Sequence, residues 1–290
     1  MTHYLENETC RVGVKESGAE LGSFKLKADN LEYIWQADPQ VWPRHAPVLF
    51  PIVGKVPDGK YSYQGKSYEM PQHGFARDLD FTLVSQSINE LSFELTDSDT
   101  TLAIYPFRFR LIINYRLQEN TVAITYNVQN PADTTMYFSI GAHPGFNCPL
   151  LPGESFSDYY LQFEQPETQV HYLLEGGLLT GKAEPLLKNE TELPLTYDLF
   201  LKDALVIKKL SSEKISLKNI QHSRGLTFEF KDYAYFGIWT KGSGASFICL
   251  EPWHGIASSV GDSGDLVQKP GIKELKAGEL FSCSFNISIY

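Results

Sequence analysis

Residues 109–128 read FRLIINYRLQENTVAITYNV, and this stretch decides the fold class. Apolar and polar side chains alternate along both of its halves, which a short polar break at Gln118-Glu119-Asn120 separates. Alternation with a period of two is typical of β-strands, because successive side chains point to opposite faces of a sheet. Two such runs around a few polar residues predict an antiparallel β-hairpin.

The same alternation recurs along the chain, and no long segment shows the apolar stripe of an amphipathic helix. Further runs are TCRVGVK (9–15), YSYQGKSYEM (61–70), FTLVSQS (81–87), LSFELT (91–96), ALVIKKL (204–210), KISLKN (214–219), LTFEFK (226–231), FGIWT (236–240), SFICLE (246–251) and FSCSFNISIY (281–290). Ser211-Ser212-Glu213 separates two of them and predicts a second hairpin, whereas the mixed polar stretch 166–194 is expected to form a loop at the rim. The sequence therefore predicts an all-β protein, a large antiparallel β-sandwich, with residues 1–290 as a single domain.

Composition excludes several classes of function. The 290 residues include 25 Lys and Arg against 35 Asp and Glu, a net charge of −10, which argues against a nucleic-acid partner. No apolar stretch approaches the length of a membrane helix, and the opening MTHYLENETC does not resemble a signal peptide, so we expect a cytoplasmic protein without a membrane partner. Four scattered cysteines without a CxxC pair are expected to be ordinary reduced thiols.

Polar residues interrupt the strand pattern at four places, and functional sites are where such local rules tend to fail. The four are HGFAR (73–77), GAHPGF (141–146), KDAL (202–205) and LEPWHG (250–255). In the last of them, Glu251 precedes Pro252, which lacks a backbone N–H and is expected to stop the strand. Beside Trp253 the carboxyl group would be partly desolvated, which raises its pKa toward the range of a general acid or base. The alternative is a strand-terminal glutamate that points into solvent.

Two histidines lie in similar settings. His143 stands among glycines and before Pro144, so it is expected in a tight turn with an exposed imidazole. Histidine exchanges protons near neutral pH, which makes His143 a candidate acid or base, and His73 has a comparable place in QHGFAR. The alternative for both is a histidine that is packed or hydrogen-bonded at a turn.

Two more charged residues have simple structural explanations. Arg77 is expected to pair with Asp78 or Asp80 at the surface, and Asp203 to serve as a turn or strand-end acid. Histidines and carboxylates are also metal ligands, but the chain has neither an HxH nor an HExxH pair, so no metal site is predicted. Phosphate-binding glycine motifs and a GxSxG elbow are absent as well, so neither a nucleotide cofactor nor serine hydrolysis is expected.

Taken together, the motifs resemble the aldose 1-epimerase (galactose mutarotase) superfamily, and its bacterial LacX-like branch most. The resemblance covers essentially the whole chain and rests on ENETCRVGV (6–14), EYIWQADPQVW (32–42), HGFAR, YPFRF (105–109), GAHPGFNCPL (141–150), DAL (203–205), FICLEPWHG (247–255) and LVQKPGIKELKAGE (266–279). It implies one large β-sandwich with a cleft for a monosaccharide. The implied reaction is the cofactor-independent interconversion of α and β anomers, an isomerase activity in carbohydrate metabolism.

The resemblance also assigns roles. Opening a pyranose ring requires a base that takes the proton of the C1 hydroxyl and an acid that protonates the ring oxygen. By similarity, Glu251 is the base, His143 is the acid and His73 hydrogen-bonds the ring oxygen or a neighbouring hydroxyl. Asp203 matches the aspartate that grips sugar hydroxyls, and Trp253 or Phe75 offers an aromatic face to the sugar.

One position departs from the family pattern. FPIVGKVPDG (50–59) places Lys55 where the family usually has an arginine, so Lys55 or Arg77 is expected to contact the substrate. A hexose phosphate would require clustered cations, for which Lys55, Lys60, Arg44 and Arg77 are candidates. The departure also keeps open a binding or sensor protein that has lost turnover, and Glu251 with Asp203 keeps open a glycoside hydrolase. Nothing in the sequence identifies a sheet edge for a homodimer.

Overall fold

The computed structural model describes all 290 residues, and most of its ordered elements are strands. Apart from one short helix, α1 (Asp99–Ile104), helical structure is limited to 3₁₀ turns at Pro57–Gly59, Ala76–Asp78, Phe156–Asp158, Tyr197–Phe200 and Leu266–Gln268. The strands are β1 (Thr2–Glu6), β2 (Cys10–Lys15), β3 (Leu21–Leu26), β4 (Val48–Leu49), β5 (Lys60–Tyr63), β6 (Lys66–Glu69), β7 (Thr82–Gln86), β8 (Glu90–Thr96), β9 (Arg110–Gln118), β10 (Thr121–Gln129), β11 (Met136–Phe138), β12 (Ile140–Ala142), β13 (Gly145–Asn147), β14 (Tyr159–Glu175), β15 (Leu178–Pro194), β16 (Leu205–Lys208), β17 (Lys214–Asn219), β18 (Gly225–Phe230), β19 (Tyr235–Trp239), β20 (Phe247–His254), β21 (Lys273–Leu275) and β22 (Leu280–Ile289). No helix has the length and hydropathy that a membrane-spanning helix requires.

One sheet of fifteen strands forms most of the protein. Its order is β4-β12-β20-β19-β16-β14-β17-β18-β22-β10-β9-β8-β7, with β13 paired to β20 and β15 to β14. Distant parts of this sheet face each other across the core: the ring of Phe146 on β13 lies 6.1 Å from that of Phe228 on β18. A core of 64 buried residues fills the space between them. The predicted all-β, antiparallel sandwich is confirmed.

The hairpin predicted from residues 109–128 is present. β9 and β10 pair in register from Thr121 opposite Gln118 to Gln129 opposite Arg110, around a turn at Glu119 and Asn120. Every second side chain of β10 is buried, as the alternation requires. Glu119 adopts φ +52°, the left-handed backbone conformation that a tight hairpin turn needs.

The second predicted hairpin is wrong. β16 and β17 do not pair with each other, because β14 lies between them and pairs with both. The segment Ser211–Glu213 instead crosses over β14, where the buried carboxylate of Glu167 accepts hydrogen bonds from the amides of Ser211 and Ser212 at 3.3 and 2.6 Å. Short polar breaks join sequential strands, but they do not fix which strands become neighbours.

The loop expected at 166–194 is also wrong. This stretch forms most of β14 and β15, a long hairpin with four register shifts between its strands and a turn at Gly176-Gly177. Only four of its side chains are buried, those of Glu167, Leu179, Leu187 and Leu193. A strand with water on both faces has no apolar alternation, so its sequence looks like a loop. The tip of this hairpin reaches the cavity described below.

Candidate active site

Strand β20 carries the central residue of the site. Phe247, Cys249, Glu251 and Trp253 lie on one face of this strand, while the alternate residues Ile248 and Leu250 join the main core. Glu251 is only 1% exposed, and its neighbour across the ladder on β19 is Gly237. The carboxyl group therefore sits inside the protein, on the face of the sheet that bears the cavity.

The prediction that Pro252 ends the strand is wrong. β20 continues through Pro252 to His254, and Pro252 pairs with Phe236. The amide of Leu250 donates to the carbonyl of Pro144, between β12 and β13, and backbone groups two residues apart point to the same side of a strand. The missing N–H of Pro252 therefore faces the interruption between β12 and β13, where the ladder does not need it.

His143 occupies that interruption. Its amide donates to the carbonyl of Pro47 at 3.1 Å, and its ring lies between two indoles, 5.0 Å from the ring of Trp42 and 5.6 Å from that of Trp239. Trp42 can lie this close to His143 because Gly145 has no side chain. A Cβ on Gly145 would lie only 2.8 Å from the Trp42 ring. The prediction of an exposed imidazole is therefore wrong. His143 is 9% exposed and lines the cavity.

His143 and Glu251 form a buried pair. The Nε2 atom of His143 lies 3.2 Å from Oε2 of Glu251. Burial raises the pKa of Glu251 well above its ordinary value, with a further rise from the charge of Asp203, whereas the indole of Trp253 lowers it by less. Burial, with the nearby Arg77 cation, lowers the pKa of His143 to about 3. Each group therefore disfavours its charged form, and no hydrogen bond joins them, since Oε2 of Glu251 and Nδ1 of His143 are both buried without a hydrogen-bond partner.

His73 lies beside this pair, in a strained backbone. Its φ is +66°, and its ring meets that of His143 edge-on at 5.6 Å. The Nδ1 atom accepts the amide hydrogen of Gly54 at 3.2 Å, so a neutral His73 carries its proton on Nε2. Burial, followed by the positive charges of His143 and Arg77, lowers the pKa of His73 well below its ordinary value. The Nε2–H of His73 is therefore a hydrogen-bond donor at the cavity wall, where Nε2 lies 3.3 Å from the side-chain amide of Gln72.

Asp203 and Trp253 line the same cavity, Asp203 at its exposed end and Trp253 at its buried end. Asp203 is exposed, has φ +82°, lines the cavity and accepts a hydrogen bond on Oδ1 from the Ala204 amide at 2.8 Å, which leaves Oδ2 without a protein hydrogen bond. Trp253 is buried between Gly141 and Gly237. A Cβ at either glycine would lie 2.6 or 2.4 Å from the indole, so only glycine permits this position.

Arg77 and Arg44 form a cationic side of the cavity. Arg77 donates to the carbonyl of Gln72 at 2.6 Å, its Nε is buried without a partner, and it lies 3.8 Å from Asp78. Arg44 binds the same Asp78 at 2.8 Å. Burial and the neighbouring Arg44 lower the pKa of Arg77 to about 10. Two guanidinium groups thus share one half-exposed carboxylate.

The structure does not bring Lys55 into the cavity wall. Its ammonium donates to the carbonyl of Gly176 at 3.0 Å, which ties the segment after β4 to the tip of the β14–β15 hairpin. Lys55 thus has a structural contact at the tip of this hairpin, and its contact with a substrate stays a prediction. Phe75 also lies elsewhere, in the core beside Phe50 and Phe109.

The remaining predicted residues line one cavity of about 320 Å³, a size within the range of small-molecule sites. They are His73, Arg77, His143, Asp203, Glu251 and Trp253. Sequence reasoning missed Trp42, Gln72 and Trp239, which also line it. Trp42 ends the motif EYIWQADPQVW and Gln72 directly precedes HGFAR, so both had a signal in their neighbouring motifs; Trp239 had none, because a tryptophan in a strand normally belongs to the core.

One group of side chains has the composition of a metal site. The ligand atoms of His143, Cys249 and Glu251 lie within 4.8 Å of one another. Burial raises the pKa of the Cys249 thiol well above its ordinary value, which opposes the thiolate that a metal would bind. Burial also raises the pKa of Glu251 and so favours its protonated form, which is a poor metal ligand. The three side chains are therefore better suited to proton exchange than to metal binding.

Comparisons with known proteins agree with the geometry. Residues 1–278 match the family described as aldose 1-epimerase. The chain is 34% identical to the chromosomal protein LacX of Lactococcus lactis subsp. lactis, over 100% of this chain and 99% of that protein. It superimposes on a galactose mutarotase related enzyme from Lactobacillus acidophilus (TM-score 0.96, 35% identity, 100% and 97% covered). A galactose mutarotase-like protein from Lactobacillus casei is similar (TM-score 0.93, 33% identity, both chains fully covered). The chain therefore belongs to the aldose 1-epimerase family.

Proposed function

We propose that this member of the aldose 1-epimerase family is a mutarotase, which interconverts the α and β anomers of a hexose by opening and reclosing its ring. The observation that carries the proposal is the 3.2 Å contact between His143 and Glu251, at the wall of a cavity of about 320 Å³. A base and an acid that share one proton can act on two oxygens of one small ring.

The reaction follows from this pair. The proton of the pair, which burial places on Glu251, first moves to His143. The Glu251 carboxylate then takes the proton of the C1 hydroxyl, the bond between C1 and the ring oxygen breaks, and protonated His143 gives its proton to that oxygen. Rotation about the C1–C2 bond presents the other face of the new carbonyl. The ring hydroxyl then attacks, His143 takes its proton back and Glu251 returns a proton to the carbonyl oxygen. The pair begins and ends with one proton, so no other reactant is consumed.

The other residues bind and orient the sugar. The Nε2–H of His73 donates to the ring oxygen or an adjacent hydroxyl, beside the His143 ring. The free carboxylate oxygen of Asp203 accepts from sugar hydroxyls. Trp42 and Trp253 present aromatic faces to the C–H surfaces of the sugar.

The test is anomer exchange of galactose and glucose, measured by NMR saturation transfer with and without the protein. Acceleration above the spontaneous rate supports the proposal. Calorimetric sugar binding without any acceleration would replace it by a sensor or binding protein. Release of nitrophenol from nitrophenyl glycosides would replace it by a glycoside hydrolase, although the partner of Glu251 here is a histidine and not a second carboxylate.

A second candidate substrate is a hexose phosphate, favoured by the two arginines of the cavity. Arg44 and Arg77 both line the cavity and share the single carboxylate of Asp78, so two positive charges face one negative charge there. If a phosphate binds there, Arg77→Gln lowers kcat/KM for glucose 6-phosphate by a larger factor than for glucose. Arg108→Gln, a change at an exposed arginine paired with Asp97, is the matched control. Equal losses for both sugars would exclude the phosphate site.

A further inference from the structure

Lys269 is a buried lysine that the proposed mechanism does not use. It follows the 3₁₀ turn Leu266–Gln268 and is 5% exposed. Its ammonium donates to the carbonyl of Ile256 and, at 3.3 Å, to the carbonyl of Val53. Lysine is rarely buried to this extent without partners, and here both partners are backbone carbonyls.

The two carbonyls belong to the wall of the cavity. Val53 and Ile256 both line it, as do the residues that follow them, Gly54 and Ala257. The two segments are in direct contact, since a Cβ on Gly54 would lie 2.5 Å from the Cα of Ala257. Lys269 therefore ties together two segments that are distant in sequence, from the side away from the cavity.

The first of these segments fixes His73. The amide of Gly54 donates to Nδ1 of His73 at 3.2 Å, and the amide of His73 donates to the carbonyl of Gly54 at 2.7 Å. This reciprocal contact holds the ring and favours the tautomer with its proton on Nε2, the nitrogen that lies 3.3 Å from the side-chain amide of Gln72. If Gly54 shifted, Nδ1 would lose its donor and the Nε2–H form would lose its preference.

We infer that Lys269 is a positioning residue, which holds Val53 and Ile256 together and so keeps the Nε2–H of His73 directed at the sugar. The inference rests on the proposed mutarotase function, since it concerns how that site is oriented. Burial lowers the pKa of Lys269 to about 7, against a smaller raising effect of Asp262. A neutral amine still has two N–H groups, one for each of the carbonyls of Val53 and Ile256, so both hydrogen bonds persist above and below this pKa.

The experiment compares Lys269→Met, which removes the donors, with Lys269→Gln, which keeps an N–H donor. Lys273→Met is the control, because Lys273 is half-buried against Phe281 outside the cavity wall. The measurements are kcat and KM of anomer exchange, and the tautomer of His73 from ¹⁵N NMR of its ring. Lys269→Met is expected to lower kcat/KM about 10- to 100-fold and to mix the His73 tautomers. Lys269→Gln is expected to recover part of both effects, and the control neither.

Several results would overturn the inference. One is a Lys269→Met protein with lower thermal stability but unchanged kcat/KM and an unchanged His73 tautomer, which would make Lys269 merely structural. If that variant does not fold, the wild type still decides: a His73 ring protonated on Nδ1 would contradict the inference. A wild type without exchange on any sugar would refute the mutarotase function, while the His73 tautomer would still report whether Lys269 positions that ring.

Discussion

His143 Nε2 lies 3.2 Å from Oε2 of Glu251, and burial disfavours the charged form of each. The pair therefore behaves as a unit with one proton across a wide pH range. With that proton on His143, Glu251 is a base; with it on Glu251, His143 is a base. In the proposed mutarotase reaction, ring opening and ring closure need these two arrangements in turn, so a single pair would serve both directions.

The first prediction concerns the pH dependence of activity. Below the pKa of His143, about 3, a second proton removes the base; above the raised pKa of Glu251, loss of the only proton removes the acid. We therefore expect kcat/KM of the wild type to stay level through the weakly acidic range, to fall on the acidic side near pH 3, and to fall on the alkaline side above the raised pKa of Glu251. The measurement is anomer exchange by NMR, corrected for the spontaneous rate. An acidic limb with its midpoint at the ordinary histidine value of 6.5 would contradict this account.

A second prediction concerns Asp203. Its negative charge raises the pKa of Glu251, so Asp203→Asn lowers that pKa. The alkaline limb of kcat/KM is expected to move to lower pH, and KM to rise because a hydroxyl acceptor is weakened. Asp198→Asn, at an exposed aspartate outside the cavity wall, is the control. Equal pH profiles for the Asp203 variant and the wild type would remove Asp203 from the site.

A third prediction tests whether the position of the Trp253 indole, beside Gly237, matters for sugar binding. In Gly237→Ala, the new Cβ would lie 2.4 Å from Cζ2 of Trp253, so the indole must move. We expect a stability loss of about 1–3 kcal/mol together with a several-fold increase in KM, measured by denaturant titration and anomer exchange. Gly22→Ala is a matched control, since its nearest neighbour is the flexible end of Lys15 at 3.2 Å. An unchanged KM in Gly237→Ala would show that Trp253 does not contact the sugar.

A fourth prediction concerns stability. The pKa of Glu251 is raised in the fold, so above about pH 4.5 the unfolded chain loses a proton that the folded chain keeps. Rising pH therefore costs the wild type stability until the raised pKa is reached, by up to about 1.4 kcal/mol per pH unit. Glu251→Gln has no such proton. Its stability relative to the wild type should increase between pH 5 and 8 in denaturant titrations, and a constant difference would argue against a buried, protonated Glu251.

The fold was predictable from the sequence where a strand has one solvent-exposed face and one buried face. β9 and β10 show this, since their alternation follows directly from half-burial. The hairpin of β14 and β15 is exposed on both faces and so lacked the pattern. The neighbours of β16 and β17 depend on β14, which no local signal reveals.

The chemistry of the site was predictable in type but not in arrangement. Motifs marked Glu251 and His143, yet their 3.2 Å contact depends on how β20 passes the interruption between β12 and β13. Lys55 occupied a position where a substrate contact was expected, but the carbonyl of Gly176 at the hairpin tip takes its ammonium. Such contacts join segments far apart in sequence, so spacing alone does not contain them.

The most direct test of the central claim compares anomer exchange by Glu251→Gln with that by the wild type. Glu167→Gln is the control, at a buried glutamate of β14 that accepts a hydrogen bond from the amide of Ser212. The account predicts acceleration by the wild type and by Glu167→Gln, and a loss of at least about 100-fold in a folded Glu251→Gln protein. Wild-type exchange rates in folded Glu251→Gln would contradict it, because the proton on that carboxyl group would then have no part in the reaction.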